Sequence, residues 1–373
     1  MDLSLFFLGT AGSVPSARRG LPAVLLSRGG ERLLFDCGEG TQRQMLRSVG
    51  LVDLDCVLIS HFHADHWLGL PGMLKSFALR ERSKPLTVYG PVGLQELMGA
   101  MRVVYGRRLP YELTFLELEP WEEIERDGYR IAAVPVNHGN RVAHGYALLE
   151  DERPGEFDRL TAESLGVPAG PAFGALQRGE IVGTVRPEQV MGPAREGRRI
   201  VISGDTAPFQ ALAIAAHRAD VLVHEATFAE DERERARETM HSTARQAAEL
   251  ALEAEVKLLV LTHVSNRYSG GELREEARAV FPATELPRDF DSIEVPFPER
   301  AGARLVRWSE RQASERGEAA GEQEPDVEPG SGPDAASEAT AQAHPDGHTL
   351  KGTPSRAHPD GRKQPEKQPI ASP

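Results

Sequence analysis

One short segment, with the pattern H-x-H-x-D-H at residues 61–66, constrains this chain more than any other feature of its sequence. It directly follows Cys56–Ser60, an apolar run that predicts a buried strand. Alternate side chains of an extended backbone share a face, so His61, His63 and Asp65 can converge, while a helix beginning there would turn His66 to another side. Imidazole and carboxylate groups suit zinc, iron or manganese. The segment therefore predicts a metal site with ligands enough for two ions.

Three further candidate ligands also follow predicted strands. They are His138, Asp205 and His263. The preceding strands are predicted at Tyr129–Pro135, Ile200–Ser203 and Val256–Thr262. Taken singly, the histidines could be ordinary loop residues and Asp205 could cap the following helix. Because all three share the position of the first segment, we expect one site of five histidines and two aspartates. Such a set can hold two ions about 3.5–4 Å apart with an aspartate between them.

Asp36 ends another predicted strand and precedes a helix predicted near Thr41–Val49. Its carboxylate could support a metal-bound histidine from outside the ligand set, or it could cap that helix. We favour the supporting role. Cys37 is a soft candidate ligand with no partner thiol near it in sequence, so a small buried residue is the better interpretation.

The order of elements predicts the fold class and three segments. Strands and helices alternate over residues 1–308, which favours an α/β sandwich with its site in the loops that leave the strand ends. Residues 151–197 are rich in Gly and Pro and are expected to form an irregular insert. Residues 309–373 contain no Phe, Trp or Tyr and only one each of Val, Leu and Ile. We expect that segment to be a disordered tail.

Composition excludes several classes of protein. The formal net charge of −13 argues against a general nucleic-acid or membrane binder, although a local basic patch remains possible. No apolar run approaches the ~18 residues of a membrane span, and the N-terminus lacks a basic leader, so no signal peptide is expected. With two cysteines there is no disulfide framework, and we expect a cytoplasmic protein.

The metal-ligand pattern resembles the metallo-β-lactamase superfamily, and finer motifs are similar to the ribonuclease Z family within it. Those motifs are Phe7–Thr10, Asp36–Gln42, Leu86–Pro91, His224–Phe228, Met240–Thr243 and Thr262–Tyr268. The H-E-A-T and H-S-T pieces among them are more specific than the metal pattern. The resemblance covers roughly residues 1–308. It implies a four-layer αβ/βα sandwich with a protruding arm.

The resemblance also implies an activity and a division of ligands. Members of this family are endoribonucleases that remove the 3′ trailer from tRNA precursors, with two zinc ions per subunit. It implies one zinc on His61, His63 and His138, the other on Asp65, His66 and His263, and Asp205 between them. Asp65 would also accept a proton. The family further implies a homodimer in which one subunit's arm helps to hold RNA for the other subunit's site.

Glu225 and His241 are candidates for proton donation. Glu225 ends the strand predicted at Val221–His224, on the same sheet edge as the ligands, and His241 precedes a capping-box start to the next helix. A glutamate beside a histidine would keep it protonated, as the donor to a departing 3′ oxygen requires. The alternative is a purely structural hydrogen bond. His224 is better interpreted as a buried strand residue than as a ligand.

RNA contacts are expected from two places. Gly170 and Pro171 resemble the Gly-Pro tip of the family's arm, and the insert's arginines would meet phosphates: Arg153, Arg159, Arg178, Arg186 and Arg195. The stretch Pro15–Gly20 resembles a Pro-x-Lys-x-Arg-Asn motif linked to the mature CCA end. It keeps the proline and an arginine but lacks the lysine and asparagine, which leaves the cut position open. Arg18 and Arg19 are its candidate RNA contacts.

Two rival functions stay open at this point. The first is a small-molecule phosphodiesterase or other binuclear-metal hydrolase of the same fold, which would lack the Gly-Pro arm and the H-S-T motif. The second is a non-catalytic RNA-binding protein with decayed metal sites, which the complete set of seven ligands disfavours. We expect precursor tRNA as the partner, and neither DNA nor a membrane.

Overall fold

The computed structural model describes residues 1–106 and 108–321 and carries side-chain detail to residue 314. In this part of the chain the strands are β1 (Leu3–Gly9), β2 (Ala23–Arg28), β3 (Glu31–Phe35), β4 (Cys56–Leu58), β5 (Leu86–Pro91), β6 (Leu113–Leu118), β7 (Glu123–Arg126), β8 (Tyr129–Pro135), β9 (His144–Glu150), β10 (Arg199–Ile202), β11 (Val221–Glu225), β12 (Leu259–Thr262), β13 (Thr284–Glu285), β14 (Ser292–Glu294) and β15 (Arg304–Val306). They form a sheet ordered β15-β14-β1-β2-β3-β4-β5-β6 and a second ordered β13-β12-β11-β10-β9-β8-β7.

Helices cover the outer faces of both sheets, and two further helices lie within residues 151–197. Over the described residues the helices are α1 (Thr41–Arg47), α2 (Ala64–Trp67), α3 (Leu70–Leu79), α4 (Leu94–Ala100), α5 (Arg102–Tyr105), α6 (Arg159–Ser164), α7 (Pro171–Gln177), α8 (Gln210–Ala216), α9 (Arg233–Thr239), α10 (Ala244–Glu253), α11 (Gly271–Arg278) and α12 (Trp308–Gly321). None of these described helices has both the length and the apolar character to cross a bilayer.

Three apolar clusters hold the layers together. The central cluster lies between the sheets and joins residues such as Leu5 and Leu26 of the first to Tyr146 and Val223 of the second. A second cluster packs α8, α10 and α11 on one sheet, and a third packs α1, α3 and α4 on the other. The α/β prediction is confirmed, and the layers run helix, sheet, sheet, helix, as in the four-layer sandwich.

Parallel pairing brings the functional loops to one edge. Strands β10, β11 and β12 are parallel neighbours, and β3, β4 and β5 are parallel neighbours in the facing sheet. Their carboxyl ends therefore meet at the same edge of the sandwich. Asp36 and His263, each directly after a strand, both have a φ of 57°. Left-handed backbone at a non-glycine residue costs free energy and turns these side chains inward.

Residues 151–197 are more ordered than the expected irregular insert. They contain α6, α7 and a short 3₁₀ turn at Pro187–Gln189. A small apolar cluster of their own stabilises them: Ala162, Val167, Leu176, Val185 and Val190. The expectation failed because each helix is only six or seven residues long, too short to show a helical hydrophobic period.

The predicted boundary at residue 309 is also wrong. Helix α12 runs from Trp308 to Gly321, within the segment expected to be disordered. The indole of Trp308 lies 5.9 Å from the Phe6 ring and 5.8 Å from the Phe290 ring, and its backbone N–H donates to Asp291. One aromatic anchor thus starts a helix that composition alone disfavoured. The remainder of the expected tail, from residue 322, lies outside the described residues.

Two truncations test this anchor. A chain ending at Gly321 should keep the unfolding free energy of the full chain, because the removed residues are poor in apolar side chains. A chain ending at Arg307 also loses Trp308 and should be less stable by about 1–3 kcal/mol, below the range for a fully buried Trp. Urea unfolding followed by fluorescence or circular dichroism measures both. Equal stability of the two would show that Trp308 contributes nothing.

Candidate metal centre

All seven predicted ligands come together at the shared sheet edge. His61, His63, His138 and Asp205 form one group whose ligand atoms lie within 4.8 Å of one another, and Asp65, His66 and His263 form a second. This pairing of residues is the division that the resemblance implied. Apart from His63 and Asp65, which are partly exposed, the seven are buried. The candidate metal centre is therefore open to solvent on one side.

The ligand atoms of the first group lie close together. Nε2 of His61 lies 2.8 Å from Nδ1 of His63, which in turn lies 3.1 Å from Nε2 of His138. A carboxylate oxygen of Asp205 lies 3.8 Å from Nε2 of His61. Burial lowers the pKa of His63 to about 4 and holds that of His61 well below its ordinary value. Both rings are therefore neutral at pH 7, the form that binds a metal.

Asp205 joins the first group to the second. Its Oδ2 lies 3.3 Å from Nε2 of both His66 and His263. Oδ2 of Asp65 lies 3.4 Å from Nε2 of His263 and 3.6 Å from Nε2 of His66. This placement makes Asp205 the residue that could contact ions in both groups.

Hydrogen bonds outside the ligand set fix the orientation of three rings. Nδ1 of His138 donates to the carbonyl oxygen of Met240 at 2.9 Å, and Nδ1 of His66 lies 2.7 Å from Asp36. Nδ1 of His263 lies 2.8 Å from the hydroxyl of Thr227. With Nδ1 engaged, each ring turns Nε2 toward the centre, as metal-bound histidines commonly do. Asp36 contacts the ring of a candidate ligand, as the supporting role that we favoured would require.

The donor set fits two cations. In the described structure Oδ1 of Asp205 is buried and has no hydrogen-bond partner, although burying an unpaired carboxylate oxygen is costly. The five imidazoles and the Asp65 carboxylate that complete the set with Asp205 are of the kinds that zinc takes as ligands. A divalent cation would satisfy Asp205 and separate the crowded histidine nitrogens.

Glu225 and His241 lie against this centre as a pair. Glu225 is fully buried, and its Oε1 lies 2.8 Å from Nδ1 of His241. Burial alone would lower the pKa of His241, but the charge and hydrogen bond of Glu225 raise it to about 9. At pH 7 His241 is therefore protonated. His224, by contrast, is a buried strand residue that contacts only the backbone of Glu225 among the described hydrogen bonds.

Three contributors were missed by sequence reasoning. The hydroxyl of Thr227 donates to Glu225 at 2.5 Å and also contacts His263, so one carboxylate supports both His241 and a ligand. The carbonyl of Met240 holds His138, and the backbone N–H of Ser13 donates to Asp65 at 2.9 Å. Thr227 was visible in the H-E-A-T motif. Met240 and Ser13 act through backbone groups in left-handed conformation, which no side-chain pattern reveals.

The predicted RNA-contacting residues are not part of the candidate metal centre. Gly170 and Pro171 are exposed at the start of α7. Arg18 is exposed, whereas the guanidinium of Arg19 donates to Thr10 and to the carbonyl of Pro287 and thus holds the loop. Four of the insert's five arginines form ion pairs with glutamates: Arg153, Arg159, Arg178 and Arg195. Arg19 and these four are poorer phosphate ligands than the sequence suggested.

A match to a known family model defines the class of protein. Residues 31–157 and 175–264 match the family model described as the β-lactamase superfamily domain, and these ranges contain every ligand of the candidate metal centre. The fold and this centre place the chain in that superfamily.

Closer relatives define the family. Ribonuclease Z of Methanosarcina acetivorans is 44% identical over 302 residues, which cover 79% of this chain and 99% of the relative. Ribonuclease Z of Archaeoglobus fulgidus is 43% identical over 308 residues, or 80% of this chain and 100% of the relative. The crystal structure of the short form of human tRNase Z has a TM-score of 0.59 at 27% identity and covers 79% of this chain and 99% of its own. The chain belongs to the ribonuclease Z family.

Proposed function

We propose that this protein is a zinc-dependent endoribonuclease that removes the 3′ trailer from tRNA precursors, leaving a 3′-hydroxyl on the tRNA and a 5′-phosphate on the trailer. The observation that carries the proposal is the complete seven-ligand centre with the buried Glu225–His241 pair against it. The similarity to relatives named ribonuclease Z supports the substrate.

Two zinc ions per subunit fit the donor set. His61, His63 and His138 would hold one, Asp65, His66 and His263 the other, and Asp205 would contact both. Bound there, the ions would make a water acidic enough to ionise near neutral pH and would offset the charge of the phosphate. The nitrogen-rich first group favours zinc over manganese.

The protein's own side chains would move two protons. As a water oxygen forms its bond to phosphorus, Asp65 accepts the proton that the water loses. As the bond from phosphorus to the 3′ oxygen breaks, His241 donates a proton to that oxygen, and Glu225 keeps His241 in its protonated form. The ribose 2′-hydroxyl has no part in this sequence.

The products test the function directly. Purified protein with a tRNA precursor carrying a defined trailer should yield a tRNA ending in a 3′-hydroxyl and a trailer beginning with a 5′-phosphate, both mapped by end-specific ligation and sequencing. A 2′,3′-cyclic phosphate would contradict the use of water as the nucleophile. Hydrolysis of small phosphodiesters without precursor cleavage would favour the rival phosphodiesterase. The same mapping reads the cut position, which the altered Pro15–Gly20 motif leaves open.

The assembly and setting are part of the same proposal. We expect a cytoplasmic homodimer that acts on RNA and on neither DNA nor membranes. Residues 151–197 would form the tRNA-binding arm and residues 1–308 with α12 the catalytic body, with Gly170 and Pro171 of the arm contacting the tRNA. Light scattering measures the subunit number, and a DNA copy of the precursor tests the preference for RNA.

Excising the arm should separate RNA binding from catalysis. Phe157 and Met191 form an isolated antiparallel bridge within the arm, so residues 158–190 can be replaced by a short Gly-Ser turn that joins these two neighbouring segments. Hydrolysis of a small phosphodiester should survive, because none of the seven ligands is removed, while precursor binding weakens at least ~10-fold. Parallel loss of both activities would mean that the arm supports the fold.

A further inference from the structure

A half-buried carboxylate, that of Asp289, holds three segments of the chain together. Asp289 accepts hydrogen bonds from the hydroxyl of Thr10 at 2.7 Å, the backbone N–H of Gly20 at 2.6 Å and the side-chain amide of Gln44 at 2.7 Å. These contacts join the loop 10–20, helix α1 and the segment 287–291. The surface around Asp289 is therefore built from parts that are held rigidly relative to one another.

Four exposed arginines surround this junction. Arg18 belongs to the loop, Arg43 and Arg47 lie one turn apart on α1, and Arg288 precedes Asp289. The guanidinium of Arg47 lies 5.3 Å from the centre of the Phe290 ring. In the described structure none of the four forms an ion pair with an acidic side chain. We call them the arginine surface.

The loop 10–20 connects the arginine surface to the catalytic centre. The N–H of Gly12 donates to the carbonyl of Val264, and that of Ser13 donates to Asp65. A Cβ on Gly12 would lie 2.5 Å from Nδ1 of His263, so the loop passes directly over a ligand with no room for a side chain. An RNA strand leaving Asp65 along this loop would reach Arg18 first.

The charge of the arm indicates that RNA phosphates are attracted mainly by other parts of the protein. Residues 151–197 contain eight acidic and five basic side chains, a net charge of −3. Because four of those arginines already have glutamate partners, the arm attracts phosphates weakly. In a chain of net charge −13, electrostatic attraction must come from arginines that are still unpaired.

We propose that the arginine surface binds backbone phosphates of the RNA. These phosphates belong to the part of the RNA that runs from the cut, past Ser13, away from the metal centre. This inference rests on the proposed function and adds the place where the substrate's charge is recognised. Guanidinium groups suit the task because they donate to phosphate oxygens in a fixed planar geometry. The arm then contributes shape recognition and the arginine surface contributes the salt-dependent part of the affinity.

The test removes three of the four charges together. Arg18, Arg43 and Arg288 are changed to alanine; Arg47 is spared because it packs on Phe290. The matched control changes Arg32, Arg102 and Arg300, which are also exposed and without an ion-pair partner in the described structure but lie away from Asp289. Dissociation constants for a tRNA precursor are measured from about 50 to 300 mM KCl, with thermal unfolding as the check on folding.

The triple variant should bind at least ~10-fold more weakly at 0.15 M salt, and the slope of log K against log salt should fall by about 2–3, near 0.9 for each phosphate that is no longer neutralised. The control should keep both the affinity and the slope of the unmodified protein. A triple variant with an unchanged slope overturns the proposal.

If the triple variant unfolds, the three single variants replace it, each with an expected slope change of about 1. Precursor cleavage by the unmodified protein is scored separately, so a failure of the proposed function is distinguished from a failure of the arginine surface.

Discussion

Changing Asp65 to alanine should abolish precursor cleavage and lower the metal content of the purified protein. The side chain contacts His66, His263 and the N–H of Ser13, so its removal takes away a ligand of the second group and the proposed proton acceptor together. Losing proton transfer alone costs ~10²–10⁴-fold, and losing an ion adds to that. We expect turnover below the limit of detection, measured by single-turnover cleavage with metal analysis of the same preparation.

Two variants make this result interpretable. Asp65→Asn keeps the shape of the side chain but is a weaker ligand and no longer a base, so it should be nearly as inactive. Glu39→Ala removes an exposed acid from the loop beside Asp36 and should leave both turnover and metal content unchanged. If Asp65→Ala keeps a full complement of metal and cleaves at more than a few per cent of the original rate, both assigned roles are wrong.

The ligand set was predictable because the sequence shows both the residue types that bind metals and their positions after apolar strands. His138, Asp205 and His263 each follow an apolar strand, and parallel neighbours such as β10, β11 and β12 bring their carboxyl ends to one edge. Each ligand could thus be placed by local reading, without knowledge of which strands pair. The sandwich followed from the same alternation of strands and helices.

The charged surface was not predictable in the same way. The sequence shows that Arg153 and Arg195 exist, but their shared partner Glu299 lies more than 100 positions away along the chain. Arg19 resembled a phosphate ligand by its motif, yet Thr10 and Pro287 occupy its guanidinium. Whether an arginine is free is decided by tertiary pairing, which composition and local motifs do not report.

Short elements were missed for a related reason. Helices α4 and α5 span seven and four residues, contain or adjoin glycines, and show too little periodicity to be distinguished from a loop. Helix α2 ends at Trp67 and α3 begins at Leu70, with Pro71 in its first turn. Proline favours the first turn of a helix, so Pro71 marks the start of α3.

Changing His241 should distinguish a proton donor from a metal ligand. His241→Ala should keep both ions and lower the rate of the chemical step by ~10²–10⁴-fold, the usual worth of general acid catalysis. Metal content must be measured beside the rate, because His241, Asp205 and His263 also lie close enough together to hold an ion. Nδ1 of His241 is already engaged by Glu225, which argues that this ring serves as a proton donor.

Metal content and leaving-group chemistry decide between these roles. A proton donor becomes unnecessary when the leaving group is good, so His241→Ala should cleave a model diester with a nitrophenolate leaving group almost as fast as the unmodified protein does. His241→Gln, which keeps a hydrogen-bonding side chain but cannot donate as an acid, should behave like the alanine variant. Glu225 is a poorer target, because its carboxylate also accepts from Thr206 and Thr227 and its removal would disturb His263. Loss of an ion from His241→Ala, or an equal loss of rate on both kinds of leaving group, would make His241 a ligand and leave the departing oxygen to take its proton from solvent.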